Sequence, residues 1–401
     1  MKNSLNFQTR LYALACFISI ALGPPAPGQP APAPAARQLG DFKGISVVRF
    51  TRDGKRILTN DGGSPGVAVL WDIQSGNEIR EFAGHTEGIN DVVFSPDEKF
   101  IATAGGTSHG DAGPARDTTI RLWDVATGRE IRQLKLHREA TSVHFSPDGK
   151  QLLGCGGDRA AYLWDTATGH QPFRLGQLAG DDVTGFETAA FSPDGRTILG
   201  TESDCHIWDA VTGKRLCLMP PEDVKVSLFH SAEFSPDGKL VVSASLDKTA
   251  QTWDSKTGRQ IQLLSGHVSF VFHASFSADS TRIVTASEDK TARVWEAATG
   301  KQLQKLDHPG SVQNAIFSPD GKRILTQWIP AENDSPQTPY VAGISLWDAQ
   351  TGKEIRRLTT HDKQQRPGPM VFTPDGKSIL VKLETLQLWD ADTGKTIREY
   401  K

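Results

Sequence analysis

The chain has 401 residues, of which 23% are charged and 37% hydrophobic, and a formal net charge of −3, the balance of an ordinary soluble protein. With no basic excess and no Lys/Arg run, no nucleic-acid partner is expected, and acidic tails and polybasic membrane patches are absent. The four cysteines form no C-x-x-C motif and no cluster with histidine at zinc spacing, so no metal or cofactor is expected.

The N-terminus reads differently from the rest. "MKNSLNFQTR" carries Lys2 and Arg10 and no acid, and "LYALACFISIALG" follows without a charge. That order, basic then apolar then small, is the order of a secretory signal peptide. The apolar run falls short of the ~20 residues that span a bilayer. Residues 1–23 are therefore expected to be a signal peptide, with an N-terminal membrane anchor as the alternative. The protein is expected to be exported: periplasmic, secreted or envelope-associated. Residues 24–40 open on a Pro/Ala-rich stretch and read as a semi-rigid linker.

From residue 41 to 401 the chain repeats itself. Tryptophan followed by an acid recurs at Trp71, Trp123, Trp164, Trp208, Trp253, Trp295, Trp347 and Trp389. Before each stands a second mark: "TRDG" at 51–54, "SPDE" at 95–98, "SPDG" at 146–149, 192–195, 235–238 and 318–321, "SADS" at 277–280 and "TPDG" at 373–376. In Ser-Pro-Asp-Gly, proline presets φ, aspartate bonds the local backbone, and glycine accepts a left-handed conformation. The runs around it alternate or are β-branched, so the turn joins two strands. Trp-Asp-x-x-Thr-Gly closes a second hairpin by the same chemistry. Each unit thus reads strand a, turn, strand b, loop, strand c with its Trp, turn, strand d. A single such sheet cannot bury both faces, whereas eight arranged radially can.

These marks resemble those of the WD-repeat (β-transducin-type) β-propeller family. The resemblance implies an all-β fold: one closed propeller of eight four-stranded antiparallel blades, or seven if the degenerate first unit stacks poorly. It also implies a buried tetrad in each blade, made of His before strand a, Ser/Thr on b, Asp in the b–c turn and Trp on c. Repeat 6 matches with His267, Thr285, Asp289 and Trp295, and repeat 2 with His85, Thr103, Asp117 and Trp123. Repeat 3 has Gly154 where the hydroxyl belongs, repeat 5 lacks the His, repeat 7 lacks the Asp, and repeat 8 keeps only His361 and Trp389. Two segments compete to complete the last blade, "RQLGDF" at 37–42 and "KTIREYK" at 395–401.

No H-E-x-x-H, G-x-S-x-G, Walker or EF-hand signature is present, and no catalytic residue is assigned. Two readings of Cys205 and Cys217 stay open: a cross-strand disulfide, since counting from the "AVTG" turn places them nearly opposite, or two free thiols. Long b–c insertions at 105–116 and 328–343 share one rim of the ring with the loop at 60–66. Long loops on a rigid scaffold often carry recognition, so Trp328, Tyr340, His109 and Asp111 form the candidate partner surface. The expected function is a non-enzymatic scaffold for protein partners, with no integral membrane domain beyond the N-terminal segment. The alternatives are an envelope- or polysaccharide-binding propeller and an enzyme with a central-channel site.

Overall fold

Each repeat forms one four-stranded antiparallel sheet of consecutive strands, and eight such sheets form. In the computed structural model the described residues are 37–39, 44–61, 63–106, 117–158, 160–171, 173–175, 188–201, 205–219, 229–330, 341–361 and 367–400. Among them no helix is long and apolar enough to cross a membrane. The segments expected to be a leader and most of the linker lie outside the described residues.

Turn chemistry builds the blades as the sequence implies. In repeat 5, the Ser235 hydroxyl donates to Asp237 at 2.7 Å, and that carboxylate accepts the Lys239 amide at 3.1 Å. Gly238 then takes φ +70°. In the second hairpin, Asp254 accepts the amide and hydroxyl of Thr257 at 2.8 and 2.7 Å, with Gly258 at φ +69°. Where glycine is missing, Glu98 and Ser280 still hold the left-handed conformation, at φ 58° and 61°. The surrounding hairpin therefore overrides the residue preference.

Strands b and c are buried on both faces, because each blade stacks on two neighbours. Between repeats 5 and 6, for example, Val242, Ala244 and Leu264 pack with Val271, Ala274, Ile283 and Trp295. Strand d is outermost and presents an exposed face.

Two hydrogen-bonded girdles tie neighbouring blades. On the outer rim, the third residue of strand d donates to the next blade's Thr-Gly turn. Arg80 reaches Thr127 O at 3.0 Å, Arg132 reaches Ala167 O at 2.8 Å, and Gln262 and Gln304 reach Ala298 O and Gln350 O at 2.8 Å. Arg356 likewise donates to Gly394 O, and Arg398 to Ser75 O at 2.8 Å. At the joints leaving repeats 3 and 4 that position is Phe173 and Cys217, which make an apolar contact with the turn glycine instead. On the inner side, strand a has one edge unpaired, and side chains of the preceding blade cover it. Asn60 donates to Ile89 O at 2.7 Å, Asn90 to Ala140 O at 2.8 Å, and His273 to Ala315 O at 3.1 Å. Buried backbone groups need such partners.

The C-terminal strand, Thr396–Tyr400, is strand d of the eighth blade. The rival segment stays outside. Gln38 forms a single bridge with Asn77, while Leu39 is buried against Trp71, Ile73 and Tyr400.

Candidate functional site

The two complete tetrads are relays with one polarity. In repeat 6, the Trp295 indole N–H donates to Thr285 Oγ1 at 2.9 Å, the Thr285 hydroxyl lies 2.7 Å from His267 Nε2, and His267 Nδ1 lies 2.8 Å from Asp289 Oδ2. In repeat 2 the distances from Trp123 to Thr103, Thr103 to His85 and His85 to Asp117 are 2.9, 2.7 and 2.9 Å. Because Nδ1–H must donate to the carboxylate, Nε2 accepts from threonine, and one hydrogen-bond direction runs through the set. Burial alone would raise the Asp117 and Asp289 carboxyls. The hydrogen bonds from histidine and from Thr119 or Thr291 prevail and hold both well below the usual carboxylate range. Burial lowers the His267 imidazole, against the pull of Asp289.

The relay also anchors the loop that enters strand a. Asp289 Oδ2 accepts the Val268 amide at 3.1 Å, and Asp117 Oδ2 accepts the Thr86 amide at 2.9 Å. In repeat 6 the Glu288 amide donates to Phe270 O at 2.9 Å, Ser287 donates to Ser269 O at 3.2 Å, and Ser269 donates to Glu288. On this fixed loop Val268 is 73% and Phe270 41% exposed. Repeat 2 has the same scaffold but shows Thr86 and Gly88 at the matching positions. The apolar pair is therefore a property of repeat 6 and not of the fold. The sequence signal was local: "GHVSFV" against "GHTEGI".

Replacing Thr285 by Val keeps the shape but leaves the Trp295 indole N–H and His267 Nε2 without their partner. The expected cost is about 2–3 kcal/mol of stability, to be read in urea unfolding with an unchanged m-value.

The incomplete tetrads are filled in different ways. In repeat 7 His308 bonds Thr326 at 2.8 Å, and its Nδ1 turns to Leu306 O at 2.9 Å in place of an acid. In repeat 5 the Phe229 ring meets Trp253 edge-on at 5.9 Å. In repeat 3 Ile120 of the neighbouring blade occupies the space that Gly154 leaves, and Asp158 accepts from Tyr162 and from Arg174 instead.

One expectation is corrected. Trp328 is not an exposed anchor: it is fully buried. Strand b of repeat 7 runs on through Arg323–Ile329 and pairs Trp328 with Gly343. A Cβ at Gly343 would lie 2.6 Å from the indole, so the missing side chain makes the slot. The indole N–H donates to Ser345 at 3.2 Å. Tyr340, His109 and Asp111 lie outside the described residues. Cys205 and Cys217 are free thiols. Cys205 stands opposite Met219, and Cys217 opposite Ile207, so the two are staggered by two residues along the same apolar cluster. Burial pushes the Cys217 thiol up to about 11. Among the described residues no group of His, Cys, Asp and Glu is arranged to hold a metal ion.

Comparison with known proteins agrees with this architecture. The profile of the family "WD domain, G-beta repeat" matches residues 76–124, 128–165, 225–254 and 258–296. "Guanine nucleotide-binding protein subunit beta" of Solanum tuberosum is 30% identical over 192 residues, which are 45% of this chain and 48% of that protein. "Nuclear distribution protein PAC1" of Arthroderma otae is 28% identical over 206 residues, 50% of this chain and 38% of that one. The chain thus spans about half, or less, of the length of the curated relatives it matches. The crystal structure of the computationally designed Ika8 protein superposes with a TM-score of 0.67 over 88% of this chain and 97% of that one, at 20% identity. That likeness concerns the fold alone.

Proposed function

We propose that this WD-repeat propeller is a non-enzymatic platform for protein partners, and that the loop of repeat 6 carrying Val268 and Phe270 is a principal contact. The observation that carries this reading is the pairing of exposure with rigidity. Two large apolar side chains stand in solvent on a loop whose backbone is bonded to a tetrad and to the adjacent b–c turn. A mobile loop would lose binding energy to ordering, and this one has little left to lose. Aromatic and aliphatic anchors of this kind dominate interface energetics. The name of the plant relative, a subunit, supports the same reading, as does the absence of a catalytic signature from the sequence.

The test is a crosslinked pull-down comparing the intact protein with the Val268→Ser, Phe270→Ser double variant. Burying both side chains is worth about 3 kcal/mol. Loss of the captured partner by roughly 100-fold, at an unchanged melting temperature, is the expected result. Equal capture by both proteins would move the contact elsewhere, and deletion of 331–340 would then be the next variant. Turnover of a substrate that survives both changes would favour the enzyme reading.

A further inference from the structure

The other end of the ring, where the Ser-Pro-Asp-Gly turns lie, holds a cavity of about 530 Å³ that the platform reading leaves unused. Its wall is the phenylalanine that ends strand a in repeats 2 to 5, Phe94, Phe145, Phe191 and Phe234, with the turn prolines beside them. Three ionisable side chains interrupt this wall, Arg52, His144 and Glu233, beside the turn serines Ser146 and Ser192.

Glu233 is the unusual one. Its Oε1 accepts the Phe276 amide of the next blade at 2.6 Å. Among the described residues no cation pairs with it. The contrast is Asp91 on strand a of repeat 2, which also braces the next blade through the Val143 amide at 3.2 Å but has Arg49 at 3.1 Å as its counter-ion. Burial pushes the Glu233 carboxyl up to about 7, against the Phe276 hydrogen bond. The described groups around it supply no compensating charge. The flanking strands carry Ala190 and Ser275 at the matching position. His273 on the next blade is lowered to about 4 by burial and is neutral at pH 7. Burial also lowers His144, in spite of Asp91. Arg52 stands exposed at the rim, on the blade diametrically across the ring, where solvent screens it.

We propose that this cavity binds a small organic cation, an amine on an aromatic or aliphatic body, with Glu233 as its counter-ion and the four phenylalanines around its apolar part. A carboxylate that is desolvated and lacks a cation favours a ligand that brings one. The phenylalanine rings of the same wall offer cation–π attraction, and the volume fits a compact molecule. The inference is independent of the partner surface, which lies at the opposite end of the ring.

The test is titration of the full chain with phenethylamine by calorimetry, set against 2-phenylethanol and 3-phenylpropionate as neutral and anionic analogues. Glu233→Gln keeps an acceptor for the Phe276 amide while removing the charge. At pH 8 the amine is expected to bind saturably, at least 10-fold tighter than either analogue, and E233Q is expected to erase that preference. Lowering the pH from 8 to 6 protonates Glu233 and not the amine, so the wild-type affinity should fall about 10-fold while E233Q stays flat. If E233Q fails to fold, the wild-type pH series decides alone. Absence of saturable amine binding, equal affinity for amine and alcohol, or a pH-independent wild-type affinity would each overturn the proposal.

Discussion

Between pH 7 and pH 5 the melting temperature is expected to fall by roughly 10 °C or more, with the loss beginning near pH 6.5. The cause is a set of histidines held neutral inside the ring. His206, His273 and His308 are each lowered to about 4 by burial, and His144 and His267 are lowered as well. In the unfolded chain each titrates near ~6.5. Below that pH the unfolded state takes up protons that the native state refuses, so stability drops as pH falls toward the native value. Each such histidine costs about 1.4 kcal/mol per pH unit over that window. Glu233 works the other way. Its folded value lies near 7, above its unfolded ~4.3, so it contributes stability as pH falls between the two. Asp117 and Asp289 stay ionised throughout, because their folded values are depressed and their contribution is lost only in stronger acid.

With three of the histidines set against one carboxyl, the net slope is about 3 kcal/mol per pH unit, large against the 5–15 kcal/mol typical of total stability. Circular dichroism melts from pH 8 to pH 4 measure it directly. His273→Gln keeps a donor for Ala315 O, which His273 supplies at 3.1 Å, and should remove about one histidine's share of the slope. A melting temperature that stays level down to pH 5 would contradict the account.

What the sequence made legible, and what it hid, follows from the range of the interactions involved. The Trp-Asp and Ser-Pro-Asp-Gly marks are local: Asp254 bonds a residue three positions away and Asp237 one two away. Their spacing therefore gave strands, turns and blade count, and the resemblance to the WD-repeat family pointed to both complete tetrads. The disulfide question turned on one bulge. Between Ile207 and Trp208 the register shifts by a residue, so a count outward from the turn arrives one position off. Trp328 misled because its surroundings look like an insertion, while the hairpin in fact continues past it to Gly343, a partner 15 positions away. Val268, Phe270 and Glu233 were missed for a further reason. Each is an ordinary residue at an ordinary repeat position, and only its neighbours across the blade joint reveal that one pair is exposed and that the acid has no cation among the described residues.

Ring closure is where the largest single lesion is expected. Every other blade is joined to the next by continuous chain, but among the described residues the eighth is held to the first by side-chain contacts. Tyr400 is buried there and donates to Ile73 O at 2.7 Å, and Arg398 donates to Ser75 O at 2.8 Å and lies 5.1 Å from the Tyr400 ring. Leu39 and Trp71 complete the packing. Removing residues 396–401 would strip the eighth blade of strand d and expose Trp389 and Trp71 together. Two large side chains returned to water cost about 3–5 kcal/mol each, enough to abolish cooperative folding in a protein of ordinary stability. Tyr400→Phe is the graded version. It keeps the packing and strands the Ile73 carbonyl, at an expected cost of about 1–3 kcal/mol. The seam also predicts its own remedy. Residues 37–39 and 398–400 lie against the same turn of repeat 1, at Gly76–Asn77 and at Ile73–Ser75. A circular permutant that joins Tyr400 to Arg37 through a short Gly/Ser linker, with new ends placed between Met219 and Phe229, closes the seam covalently. It should unfold more slowly than the parent and suppress most of the Tyr400→Phe defect. Equal unfolding rates in stopped-flow urea jumps would mean that the ring opens elsewhere, and the joints at Phe173 and Cys217, which lack the outer hydrogen bond, would be the next place to cut.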